Sequence, residues 1–130
     1  MPTFRDLRIW QEAHKLMLEI HDLAKCLPRD ERFRKRDQIE RSSSSVPDNI
    51  AEAYSAYYYN EKTKGMLIAR REAAETQNHL EALVGKKCMS RNKADELLGR
   101  YERVIAGING YVKYIREKQA LAKEIRQSGD

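Results

Sequence analysis

The sequence predicts an all-α protein, folded as an antiparallel up-down-up-down bundle of four helices. Apolar residues recur at spacings of three and four through four long segments, which is the period of an amphipathic helix. The 130-residue chain contains only three prolines and six glycines, and 35% of its residues are charged. No segment alternates apolar and polar residues in the manner of a β-strand. Short connections between long helices favour antiparallel neighbours, and four such helices form a bundle.

The first helix is predicted to follow Thr3 and to end at Pro28. Thr3 and Asp6 have the spacing of a capping box, in which two side chains satisfy backbone donors at a helix start. Proline disfavours a helical conformation at the residue before it, so Pro28 marks the end. The apolar stripe consists of Trp10, Ala13, Met17, Ile20, Ala24 and Leu27.

The second helix begins near Phe33 and contains Pro47 within its apolar pattern. Because a proline removes one backbone hydrogen bond, we expect this helix to be kinked at Pro47. The run Ser42–Ser45 is interpreted as small side chains that pack closely and bond back to backbone carbonyls. A phosphorylatable or hydroxyl-lined site is the alternative. The stripe is Ile39, Ser43, Val46, Ile50, Ala53 and Tyr57.

The third and fourth helices are delimited by capping residues. Asn60 is the expected N-cap of the third helix and Gly85 its stop, while Ser90 is the expected N-cap of the fourth. The third stripe is Met66, Ala69, Ala73, Thr76, Leu80 and Leu83, and the fourth is Leu97, Tyr101, Val104, Ile108, Tyr111 and Ile115. We expect one domain, with the bundle at residues 1–118 and a frayed tail at 119–130.

The net charge of +5 and a sequence pI near 9.2 permit a polyanionic partner. The bundle topology brings the first and third turns to one end. A nucleic-acid contact at that end is the functional hypothesis, and solvated helix termini are the alternative. The candidate residues are Arg29, Arg32, Arg34, Lys35, Arg36, Lys86, Lys87, Arg91 and Lys93. A second basic strip lies towards the opposite end and consists of Lys113, Arg116, Lys118, Lys123 and Arg126.

A tyrosine-rich segment lies between the second and third helices. Clustered exposed tyrosines are typical of protein interfaces, so Tyr54, Tyr58 and Tyr59 are assigned to a subunit interface. Stacking on nucleic-acid bases is the alternative interpretation. Tyr57 continues the apolar stripe of the second helix and is assigned to the core.

The sequence contains no pattern typical of an enzyme, a metal centre or a cofactor site. A di-metal bundle needs Glu-x-x-His pairs, and His14, His21 and His79 all lack a glutamate three residues before them. We therefore expect no catalysis, no cofactor and no small-molecule substrate. Cys26 and Cys88 are too few for a disulfide scaffold and indicate a reducing cytoplasm. No apolar run suits a membrane span, and the first residues lack a signal-peptide core.

Four sequence blocks together resemble a known bacterial family. They are Phe4-x-x-Leu7-x-x-Trp10-Gln11-x-Ala13, Gln38-Ile39-x-Arg41-Ser42, Ser45-Val46-Pro47-x-Asn49-Ile50-Ala51-Glu52 and Ile68-Ala69-Arg70. This order resembles the four-helix bundle proteins associated with intervening sequences of 23S rRNA genes. The resemblance implies a homopentamer, a role with RNA or other nucleic acid, and no enzymatic activity.

The motif residues of that resemblance are interpreted as structural. They are Gln38, Arg41, Ser45, Pro47, Asn49 and Glu52. Asn49 and Glu52 are expected to satisfy backbone groups opened by the kink or to reach Arg41. The leading functional hypothesis is a non-enzymatic oligomer that binds nucleic acid, with RNA favoured over DNA. A protein-binding adaptor that uses the tyrosine-rich end is the alternative.

Overall fold

Four long helices account for most of the chain. The computed structural model describes residues 1–28 and 33–129, so Arg29 and Arg32 lie outside the described residues. A short 3-10 helix at Phe4–Asp6 precedes α1 (Arg8–Lys25), α2 (Phe33–Ser55), α3 (Tyr59–Gly85) and α4 (Arg91–Ser128). The described ranges contain no strand, which confirms the prediction of an all-helical chain with four helices.

The predicted capping box is present at the N-terminus. The Thr3 backbone N–H donates to Asp6 Oδ2 at 2.7 Å, and the Thr3 side chain accepts in return. These bonds cap the 3-10 helix, while α1 begins after Leu7. Helix α1 ends at Lys25, three residues before the expected end at Pro28.

The core follows the predicted apolar stripes, except that in α1 Leu16 is buried and Met17, assigned to the stripe, is not. In α3, all six stripe residues from Met66 to Leu83 are buried. In α2, the stripe from Ile39 to Ala53 is buried as well. Burying one Leu, Ile or Met side chain contributes about 1.5–3 kcal/mol, so these stripes hold the helices together. Two polar residues of α3, Glu72 and His79, are also buried, although the spacing did not assign them to the core.

The expectation that Tyr57 belongs to the core is wrong. Helix α2 ends at Ser55, so its register does not reach Tyr57, whose side chain is 87% exposed. Tyr58 is the N-cap of α3 and makes no side-chain cap bond. The expected N-cap, Asn60, instead lies in the first turn of α3.

The connection between α3 and α4 has the geometry of a Schellman motif. Gly85 is the last residue of α3, as predicted, but the left-handed residue is Lys87, with φ 62°. The Cys88 N–H donates to the Leu83 carbonyl at 2.8 Å, and the Lys87 N–H donates to the Val84 carbonyl at 3.0 Å. Ser90 caps α4 by accepting from the Lys93 N–H, which confirms its predicted role.

Each helix packs against two others: α1 and α3 both contact α2 and α4. Between α2 and α3, side-chain bonds join Lys35 to His79, Ser42 to Thr76, and the Tyr54 carbonyl to Lys62. Pro47 lies inside α2, which continues through it as one helix.

Helix α4 is the longest element and extends past the core. Its last buried residue is Ile115, yet the helix continues to Ser128. Most side chains from Arg116 onwards are exposed. Residues 119–128 are thus helical, and the division of the chain at residue 118 stays a prediction.

Candidate nucleic-acid interface

The structure brings the α3–α4 connection to the same end as the C-terminus of α1 and the first turns of α2. These segments surround a mainly apolar cavity of about 280 Å³. Its lining includes Leu27 after α1, Ile39 of α2, Cys88 in the connection and Lys93 of α4. The two predicted basic clusters therefore flank one end of the molecule, within the described residues.

Three of the predicted cations form ion pairs with carboxylates. The most extensive is Arg91, which binds Glu81 through two hydrogen bonds of 2.8 Å. This bidentate bond raises the pKa of Arg91 and lowers that of Glu81. The pairs are Arg36–Glu40 at 3.0 Å, Arg91 with Glu81 and Asp95 at 2.8 Å, and Lys93–Glu96 at 2.8 Å.

A fourth predicted cation, Lys35, is bonded to a buried histidine. Its Nζ lies 2.9 Å from His79 Nδ1. Burial and the charge of Lys35 lower the pKa of His79, although Glu75 acts in the opposite direction. A neutral His79 accepts from Lys35 through Nδ1 and presents its Nε2 proton to Glu75, 3.4 Å away. Lys35 is therefore anchored between α2 and α3.

The remaining predicted cations are Arg34, Lys86 and Lys87, which we call the loop-end cations. All three side chains are exposed. Among residues 1–28 and 33–129, none of the three has an acidic partner within 4.0 Å. They retain the capacity to bind an external anion.

Arg41, one of the motif residues, bridges α2 to two carboxylates of α3. Its guanidinium lies 3.4 Å from Glu72 and 2.5 Å from Glu75. Burial raises the pKa of Glu72, and its hydrogen bond and charge repulsion with Glu75 add to the increase. Arg41 and Arg71 oppose this effect without cancelling it. Arg41 thus meets Glu72 and Glu75, while Asn49 follows the other alternative expected for it and bonds a backbone carbonyl of α2.

Glu75 is the member of the pair that keeps its charge. Burial alone would raise the pKa of Glu75, but its bond to Glu72, the Arg41 charge and the bond to His79 lower it. The pair is therefore asymmetric, because two carboxylates that share one arginine repel each other. The helical spacing of Glu72, Glu75 and His79 on α3 is the sequence signal that places them on one face.

The serine run fills the space between α1, α2 and α3. Ser42 and Thr76, both fully buried, are hydrogen-bonded at 2.8 Å. Ser43 and Ser44 bond back to the Glu40 carbonyl at 3.2 and 2.8 Å, and Ser44 also contacts His21 Nε2 at 3.0 Å. The serine side chains thus pack closely between the helices, and their hydroxyls hydrogen-bond to backbone carbonyls of the preceding turn of α2.

The other motif residues occupy distinct positions on α2. Asn49 Nδ2 donates to the backbone carbonyl and to the Oγ of Ser45, at 2.8 and 2.9 Å. Pro47 is buried, whereas Gln38 and Glu52 are exposed. Asn49 thus holds the turn of α2 that contains Pro47.

The tyrosine-rich end presents aromatic surface to solvent. Tyr58 is 63% exposed and packs edge-on against the ring of Tyr57, with centroids 4.9 Å apart. Tyr59 is 37% exposed. Tyr54 is half-buried, and Lys62 donates to its carbonyl at 2.6 Å while lying 5.7 Å above its ring.

Among residues 1–28 and 33–129, no three His, Cys, Asp or Glu side chains cluster in a way that could hold a metal ion. None of the described helices has the length and apolar character needed to cross a membrane. Cys26 is exposed and Cys88 half-buried, and both are free thiols.

Comparison with known proteins settles the family. The family model described as "23S rRNA-intervening sequence protein" matches residues 5–110. The chain belongs to this family. A crystal structure of an S23 ribosomal protein family member of unknown function, from Bacteroides thetaiotaomicron, superposes with a TM-score of 0.75 at 24% identity. The match covers 81% of this chain and 98% of that one, and it supports the fold alone. No curated protein matches the sequence.

Proposed function

We propose that this member of the 23S rRNA-intervening sequence protein family is a non-enzymatic homo-oligomer that binds nucleic acid through a basic surface. The observation that carries the proposal is the set of loop-end cations Arg34, Lys86 and Lys87, which are exposed and have no acidic partner among the described residues. A cation without a partner in its own chain is free to contact a phosphate, and each such contact releases a counterion from the nucleic acid. The family name makes RNA the first ligand to test.

The proposal is tested by fluorescence anisotropy with a labelled single-stranded RNA of mixed sequence. Binding should weaken with salt, because each phosphate contact to a single strand contributes about −0.7 to the log–log slope. Neutralising the loop-end cations as Arg34→Gln, Lys86→Gln and Lys87→Gln should lower affinity, and circular dichroism should show an unchanged fold. Failure to bind at low salt, or binding that ignores salt, would overturn the proposal.

The oligomer is supported by the apolar surface at the tyrosine-rich end. Tyr57 and Tyr58 are exposed, and so are Leu121 and Ile125 on the part of α4 that extends past the core. Large exposed apolar groups mark interaction surfaces, and self-association covers them without a second partner. Light scattering should give a mass several times 15.2 kDa, with five copies expected from the family resemblance. A monomer at micromolar concentration would contradict this part of the proposal.

The same surface supports the alternative of a protein-binding adaptor. The two functions are separated by purification from cells. A stoichiometric protein partner without nucleic acid favours the adaptor, whereas RNA recovered after crosslinking favours nucleic-acid binding. For the adaptor, replacing Tyr57 and Tyr58 by serine should release the protein partner; for the nucleic-acid-binding protein, the same variant should keep its RNA.

We also propose the up-down-up-down order of the helices, with α2 kinked at Pro47. Cross-helix bonds support the order. Arg70 bonds Asn109 and Asn60 bonds Gln119, so residue numbers rise on α3 as they fall on α4. Spin labels at positions 34 and 86 should therefore be close, and labels at 34 and 64 far apart. The reverse distances would exclude this order.

A further inference from the structure

A groove between α3 and α4 carries a second set of unpaired cations. The groove has a volume of about 550 Å³, and its lining includes Arg70 from α3 together with Lys113 and Arg116 from α4. All three side chains are exposed, and none forms an ion pair among the described residues. We propose that this α3–α4 groove binds the phosphodiester backbone of single-stranded nucleic acid.

The geometry of the groove fits an extended polyanion. Positions 109, 113, 116 and 120 of α4 follow spacings of four, three and four, so they form one strip about 16 Å long. Arg70 reaches across from α3, where its Nη1 donates to Asn109 Oδ1 at 2.7 Å. This neutral partner holds the guanidinium over the groove and leaves its charge uncompensated. The two cations on this strip, together with Arg70 of α3, fit successive phosphates of a strand better than a single small anion.

The floor of the groove is apolar. Leu67 of α3 and Val112 of α4 contribute apolar side chains to its lining. Grooves for single strands combine a cationic rim with surface that contacts the sugars and bases, and this lining has both parts. Glu117 is the carboxylate of the groove lining and opposes the other charges there.

The cations of α4 are paired in its first turns and unpaired in its second half. This difference favours the groove, which lies in the second half, as a binding surface. Residues 101–129 contain six basic and three acidic residues. The first turns of α4 differ, because there Arg91, Lys93 and Arg100 are all paired with carboxylates. The six cations beyond residue 100 form no ion pair in the described part of the chain. Within α4, the unpaired positive charge therefore lies beyond residue 100, in the half of the helix that contains the groove residues.

This inference rests on the proposed function and adds a second binding surface to the loop-end cations. The test uses the 130-residue chain and the labelled mixed-sequence RNA strand, with a DNA strand of the same sequence as a second probe. The groove variant carries Arg70→Gln, Lys113→Gln and Arg116→Gln. Its matched control carries Lys118→Gln, Lys123→Gln and Arg126→Gln, which remove the same charge from the same helix outside the groove. We expect the groove variant to bind both strands about tenfold to hundredfold more weakly and to lower the salt slope by about 2.

The control variant should lose much less affinity than the groove variant. Equal losses would show that net charge alone sets the affinity and would overturn the groove. Full affinity in the groove variant would overturn it as well, while leaving nucleic-acid binding intact. Failure of the wild-type chain to bind would instead remove the proposed function and the groove together. A smaller oligomer mass in the groove variant would assign these residues to a subunit contact and also overturn the inference.

A single substitution that should strengthen binding, instead of weakening it, also tests the groove. Glu117→Gln removes the groove carboxylate and should strengthen binding severalfold. Glu124→Gln removes an exposed carboxylate of the same helix outside the groove lining and should change affinity less. Equal effects of the two substitutions would contradict a localised site.

Discussion

The close approach of α2 and α3 at Gly65 gives the sharpest test of the packing. A Cβ on Gly65 would lie 2.7 Å from Ala53 Cβ and 3.3 Å from Ala53 Cα. Ala53 is only 2% exposed and has no rotatable side chain, so it cannot move aside. The substitution Gly65→Ala therefore forces the two helices apart. Gly110 on α4 is the matched control, because a Cβ at that position would meet no atom within 4 Å from outside its own stretch of helix.

The expected change in the free energy of unfolding is the sum of two opposing effects. Replacing glycine by alanine inside a helix stabilises it by about 1 kcal/mol. Overpacking a closely packed contact costs about 1–3 kcal/mol. We expect Gly65→Ala to lower the free energy of unfolding by about 1 kcal/mol and Gly110→Ala to raise it by about 1 kcal/mol. For 130 residues, 1 kcal/mol corresponds to about 4 °C in Tm, so the two variants should differ by about 8 °C.

The assay is thermal and urea unfolding followed by circular dichroism at one protein concentration, since oligomerisation shifts apparent stability. The double variant Ala53→Gly, Gly65→Ala exchanges the methyl group between the two helices and should recover part of the loss. An increase in Tm for Gly65→Ala similar to that for Gly110→Ala would refute the close approach.

Three further predictions concern pH and backbone conformation. Glu72→Gln should stabilise the protein at pH 7 but not below pH 4.5. Burial and Glu75 raise the pKa of Glu72, so the native state loses stability when this carboxyl ionises as the pH rises. Urea midpoints of the variant and the wild type at the two pH values measure the difference. His79 has a lowered pKa, so stability should fall as pH drops below about 6.5, and His79→Gln should flatten that part of the profile. Lys87→Gly should raise Tm by about 4 °C by relieving a left-handed residue, which costs about 1 kcal/mol, whereas Lys86→Gly should lower it.

The helices and their core were predictable because apolar periodicity reports directly on which face is buried. The α3 stripe from Met66 to Leu83 shows this, since a single helix without interruption keeps one register. The prediction failed at Tyr57 because it extended the α2 register beyond the end of the helix. Helix ends depend on a few local bonds, and the turn after Ser55 has no glycine or proline to mark it.

The partners of the polar side chains were not predictable from local sequence. Lys35 meets His79 across 44 positions of sequence, and Arg41 meets Glu75 across 34. Helical spacing shows which residues share a face, but the axial register of two packed helices decides which residues of one helix touch which residues of the other. The close approach of Gly65 to Ala53 is one such contact between α2 and α3, and it is visible only once the two helices are in place.

Because some cations are paired within the chain, the net charge of +5 does not by itself show which cations are available to bind a phosphate. At the end of the bundle where the sequence predicted a nucleic-acid contact, Arg36, Arg91 and Lys93 are neutralised by carboxylates of the same chain. A phosphate that binds one of these cations must first break its ion pair, which costs up to about 1 kcal/mol for an exposed pair, whereas an unpaired cation carries no such cost. Arg70, Lys113 and Arg116 have no such competitor among the described residues, and they lie along one groove. If unpaired cations determine affinity, neutralising these three must weaken binding more than neutralising Arg36, Arg91 and Lys93, although both changes remove the same charge.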